Sequence, residues 1–166
     1  MSEPDIPSVE PEGTFDGLRP FAILLGAGVD MLATMIGLTT LAIWLTPELA
    51  DTAAAREAAQ EALSTDTAIL ASLAMGGACT VLGAFFGARF AGQLHVRHGG
   101  WVAVVSTAIS ALVLVTSPPS AEAAATQASY PLWAEITGWL MIIPTGMLGG
   151  ALAAIAARRD PPTPTL

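Results

Sequence analysis

Four long apolar runs decide what this chain can fold into. They occupy residues 21–45, 67–92, 101–115 and 132–157, and their only charged residues are Asp30, Arg89 and Glu135. Apolar stretches of about 18 residues or more reach across ~30 Å of hydrocarbon as helices. The third run is the shortest and must borrow neighbouring residues to do so. The expected fold is an all-α membrane protein of four transmembrane helices. Short connections favour antiparallel sequential neighbours, hence an up-down-up-down bundle.

Composition supports this. Hydrophobic residues make up 53% of the 166 and charged residues 12%, half the usual share of about 25%. The formal net charge is −8, and most of it lies outside the runs. Glu3, Asp5, Glu10, Glu12 and Asp16 precede the first run; Glu48, Asp51, Glu57, Glu61 and Asp66 lie between the first two. An acidic chain without lysine offers no footprint for nucleic acid. Cys79 is the single cysteine, which excludes an intrachain disulfide and a cysteine metal cluster. It reads as small core filler.

The chain divides into an acidic tail over residues 1–18, a membrane domain over 19–159 and a Pro-rich tail over 160–166. Pro4, Pro7 and Pro11 with the surrounding acids predict disorder in the first tail. Acidic residues ahead of a full-length first run do not make a signal peptide, so that run is expected to be retained and to direct insertion. Residues 49–63 are rich in Ala and Glu and predict a short surface helix. Arg19, Arg89, Arg97, Arg158 and Arg159 fall at one face and Arg56 at the other, which predicts both termini in the cytoplasm of a multi-pass plasma-membrane protein.

The second run carries the packing signal. Ser72, Gly76, Thr80, Gly83 and Gly87 recur at steps of four, four, three and four, which puts them on one side of a helix. Gly83 and Gly87 form a GxxxG pair, which lets another backbone approach closely. Ala22, Gly26, Asp30, Ala33 and Gly37 make a matching face on the first run. Gly149 stands near the end of the fourth, and loosely similar Gly-Ala-Arg endings on runs two and four hint at a duplicated hairpin. The expected helix-packing residues are Gly26, Gly37, Gly76, Gly83, Gly87 and Gly149.

Asp30 is the most informative single residue. A carboxylate at mid-span costs roughly 2.5–3.5 kcal/mol on insertion scales, so it must be protonated, bonded or paired. Thr80 is the expected hydroxyl partner and Arg89 the alternative ionic one; Asp30, Thr80 and Arg89 form the candidate intramembrane polar site. Glu135, near the outer end of its run, reads as an interfacial carboxylate. Pro144 removes a helical donor for the Leu140 carbonyl and predicts a kink. Ser106 and Ser110 read as interhelical or backbone-bonded hydroxyls. His95 and His98 are spaced like a metal pair, but with no further ligand in reach they read as headgroup-boundary residues. No metal site, cofactor or enzymatic activity is expected: there is no nucleophile–base pair, phosphate loop or haem motif.

Gly26-x-x-x-Asp30, the sequence Gly83-x-x-x-Gly87-Ala88-Arg89-x-Ala91-Gly92 and His98-Gly99 together resemble small uncharacterised prokaryotic four-helix membrane proteins. Their second helix ends in a Gly-rich turn, an arginine and Ala-Gly. The chain departs from that pattern with Phe85-Phe86 in place of a Gly-Tyr type pair and with a long first loop. The resemblance implies a fold and a location and carries no activity. The leading functional expectation is a structural or accessory protein that packs through Gly/Ala faces with itself, as a homo-oligomer, or with a larger membrane complex. The alternative is a small proton- or cation-linked transporter or channel subunit that uses Asp30. The lipid bilayer is the expected partner in either case.

Overall fold

The computed structural model describes residues 15–45, 64–117 and 130–159. These form four helices: α1 (Pro20–Leu45), α2 (Asp66–Ala91), α3 (His95–Thr116) and α4 (Leu132–Arg159). All four are long and apolar enough to cross a membrane. Large apolar side chains cover their outer surfaces, among them Leu32, Met35, Trp44, Val115 and Leu140, each at least 60% exposed. A surface of this kind suits a lipid environment far better than water. The expected surface helix at 49–63, residues 1–14 and the tail at 160–166 lie outside the described residues.

The helix ends follow local chemistry. Thr65 caps α2, its hydroxyl accepting from the Ala68 N–H at 3.3 Å, and satisfies one of the orphan donors of the first turn. Gly92 closes α2 in the left-handed region at φ 73°, the usual place for glycine. Leu94 is also left-handed, at φ 48°. Two such residues in quick succession reverse the chain, so the link between α2 and α3 is three residues long. His95–Gly100, expected in that link, instead form the first turns of α3. The glycine pair does not break the helix because Gly99 packs against the backbone of Gly146 and Gly150 on α4. Helix α4 runs on through Pro144. At the very next residue, the Thr145 hydroxyl donates to the Met141 carbonyl at 2.7 Å.

The contacts set the topology. Gly26 faces Gly83 and Gly87, and Gly37 faces Met75 and Cys79, so α1 and α2 are antiparallel. Gly99 and Gly150 pair α3 with α4 in the same antiparallel sense. Helices α2 and α4 run parallel, with Leu73 against Gly138, Gly77 against Thr145 and Ala84 against Gly149. Around the bundle the order is α1, α2, α4, α3. Sequential helices α2 and α3 therefore meet across the diagonal, and α1 and α4 hardly touch.

The bundle is shut at one end, where backbone meets backbone. A Cβ built on Gly83 would lie 2.7 Å from the Gly26 carbonyl oxygen, and one on Gly87 would lie 2.9 Å from that of Ala22. Ala22, Ala27, Ala84, Ala88, Val102 and Ala153 fill the rest of this end, all 1% exposed or less. Arg19, Arg89, Arg97 and Arg158 belong to the same end. Residues 15–18, which the sequence assigns to the tail, fold back over it. Phe15 stacks on Trp101 with centroids 5.3 Å apart, and Gln93 Nε2 donates to the Gly17 carbonyl at 3.2 Å.

Candidate functional site

Beyond the shut end lies a chamber of about 440 Å³ to which all four helices contribute. Helix α1 supplies Asp30 and Thr34, α2 supplies Gly76 and Thr80, α3 supplies Ser106, Thr107 and Ser110, and α4 supplies Glu135 and Trp139. It occupies the gap that keeps α1 from α4. Asp30 stands ten residues into α1, about 15 Å at 1.5 Å per residue, a distance equal to half the ~30 Å that a spanning helix must cross.

Asp30 is only 5% exposed. Gly83 makes room for it: a Cβ on Gly83 would stand 2.5 Å from the Asp30 Cβ and 2.8 Å from its Cα. The hydroxyl that reaches the carboxyl is that of Thr34, one turn on, donating to Oδ1 at 3.5 Å, the long limit of a hydrogen bond. Thr80, the partner expected from sequence, lines the same chamber half-buried. Arg89 is not brought to this site. Asp30 is level with Gly83, and Arg89 is six residues further along α2, about 9 Å. It is exposed and near enough to His95 for their charges to interact.

Ser106 is the residue that sequence reasoning misread. It is 6% exposed, and its Oγ has no hydrogen-bond partner among the described residues. Its neighbour Thr107 donates back to the Ala103 carbonyl at 2.8 Å. A buried hydroxyl left unbonded costs about 1–3 kcal/mol, and this Oγ is itself buried, not open to the chamber. Thr34 was legible in principle, since i and i+4 share a helix face. Ser106 was not, because its depth opposite Asp30 depends on how α3 stacks on α1.

The expected packing glycines differ among themselves. Gly26, Gly83, Gly87 and Gly149 each face another helix's backbone, and Gly37 faces the Met75 and Cys79 side chains. Gly76 is different: a Cβ there would meet nothing within 4 Å. At its level α2 borders the chamber instead of a neighbouring helix. On the other side of Gly76 runs an apolar groove of about 610 Å³ between α2 and α4, bounded by Leu70, Leu73, Thr137 and Met141. Groove and chamber share Gly76, Thr80, Gly138 and Ile142 as their common wall.

At the shut end, His98 is fully buried, which corrects the headgroup-boundary reading. Its Nε2 accepts from the Arg19 backbone N–H at 2.9 Å, and Nδ1 faces the Leu94 carbonyl at 3.2 Å. Both contacts are satisfied by one tautomer, neutral with its proton on Nδ1. The imidazole thus fastens the start of α1 to the start of α3. Among the described residues there is no group of three potential metal ligands. Comparison of the chain with protein-family models, with curated proteins and with solved structures gave no match.

Proposed function

We propose that this chain is a small multi-pass membrane protein that binds a small cation in its intramembrane chamber, as a transporter or channel subunit. The observation that carries this reading is a buried carboxyl, Asp30, on the wall of a chamber that also receives Thr34, Thr80 and Ser110. A lone acid in a membrane helix is usually bonded away. Here it borders a space large enough for an ion with part of its hydration shell, ringed by Thr34, Thr80 and Ser110. Oxygen donors of this kind suit hard cations. Glu135, further toward the other end, adds a second carboxyl that would draw cations in. A cation held by Asp30 needs the ionised carboxylate, so protons compete with it. With the arginine end in the cytoplasm, the chamber lies on the outer side of the shut end.

Purified protein in proteoliposomes should support cation- or proton-dependent flux that is lost in Asp30→Asn. Flux that survives unchanged in Asp30→Asn would refute the reading.

The second reading is an accessory protein. Most of the close glycine contacts are used inside the chain, but Gly28 is exposed among Phe21, Leu24, Leu25 and Leu32 in a shallow apolar depression on α1. Bare backbone there would accept a partner helix, from a second copy or from a larger complex. Reproducible co-purification of such a complex without flux would favour it.

A further inference from the structure

The chamber and the α2–α4 groove are back to back, and the geometry points to one ligand that uses both: an amphiphile with a cationic head and an apolar tail. This rests on the chamber taking cations and goes on to name the class. The head end is the acidic one, with Asp30 5% exposed and Trp139 on the wall. An indole face attracts alkylammonium groups as well as packing on them. The groove is the complement. Leu70, Leu73, Met141 and Ile142 give it an apolar lining and about 610 Å³ of space, room for an alkyl chain of several carbons.

What joins the two is the missing side chains at Gly76 and Gly138. Nothing stands within 4 Å of a Cβ at Gly76, and at Gly138 the nearest atom is a Leu73 methyl at 3.6 Å. The wall between an acidic chamber and an apolar groove is therefore thinnest where both helices are reduced to backbone. Elsewhere along α2 such glycines admit a neighbouring helix; at Gly76 none approaches. An inorganic ion would fill the chamber and leave the groove unused. A cationic amphiphile fills both, its charge against Asp30 and its tail toward the lipid.

The test uses the full chain in nanodiscs, titrated calorimetrically with tetramethylammonium, butyltrimethylammonium and octyltrimethylammonium, with empty nanodiscs as the partition baseline. Each buried methylene should tighten binding about three- to fourfold, so octyltrimethylammonium should bind at least about tenfold tighter than tetramethylammonium above that baseline. Asp30→Asn should weaken all three. Thr137→Phe, which borders the groove and not the chamber, should leave tetramethylammonium unchanged and remove the gain with chain length. Gly76→Leu, at the wall the two share, should remove the same gain independently of Thr137. Binding of tetramethylammonium with no chain-length gain, or a gain that both groove variants leave intact, overturns the amphiphile and leaves the chamber standing. No binding of any of the three overturns both.

Discussion

Gly83 and Asp30 occupy one another's space: the carboxyl-bearing residue of α1 sits where a side chain on α2 would be, 2.5 Å from a Cβ that Gly83 does not have. The glycine that brings the two helices together thus also seats the acid. Gly83→Ala must push α1 outward, because the atoms it meets are backbone and Cβ, which cannot rotate away. Overpacking of this kind costs typically 1–3 kcal/mol. Gly83→Leu and Gly87→Leu should cost more, and Leu82→Ile, 44% exposed on the other side of α2, should be tolerated. Thermal melting in detergent checks the series; equal melting of all the variants would deny α2 its organising role.

Asp30 and Arg89 should behave independently. Asp30→Asn keeps an acceptor for Thr34 and should change stability little, and Arg89→Gln acts at the exposed end of α2. Their effects should add within about 0.5 kcal/mol, as for sites without shared partners. Recovery of stability in the double variant would instead reveal an ion pair that the described geometry does not contain.

His98 should be worth more than its single-residue size suggests. His98→Phe keeps the bulk and strands the Arg19 N–H, while the Leu94 carbonyl keeps the backbone N–H of residue 98, for an expected loss of about 1–3 kcal/mol. Hydrogen exchange at the Arg19 amide reads the effect directly. Exchange at the wild-type rate in the variant would mean the imidazole is not the acceptor that protects it.

Orientation is open to chemical labelling. Cysteines introduced at Ser8 and Pro164 should resist impermeant thiol reagents in intact cells, and one at Ala55 should react. The native Cys79 is 6% exposed and contributes little background. Labelling at either terminus would reverse the orientation and turn the chamber toward the cytoplasm.

The spans were legible because hydropathy and length are one-dimensional properties, and the Thr65 cap because it is local. The start of α3 was not. A His-Arg-His turn followed by two glycines reads as a polar link, and only the backbone contact of Gly99 with α4 makes it helix. The diagonal meeting of α2 with α3 was equally hidden, since link length says which helices are joined and not how they are arranged around an axis. The candidate site shows the same division. Asp30 and Glu135 stood out as charges in apolar runs, while Thr34 and Ser106 are ordinary residues on two different helices. Only the packing gathers them.

The shut end has a mechanical consequence. At Gly26, Gly83 and Gly87, and again at Gly99, Gly146 and Gly150, backbone lies on backbone or close to it, with few side chains between to change rotamer. A constriction lined by side chains can open by degrees; one made of main chain opens only when whole helices slide or tilt. Any passage from the chamber to the arginine face must therefore be a rigid-body step, all or none, slow beside side-chain motion and sensitive to changes far from the site.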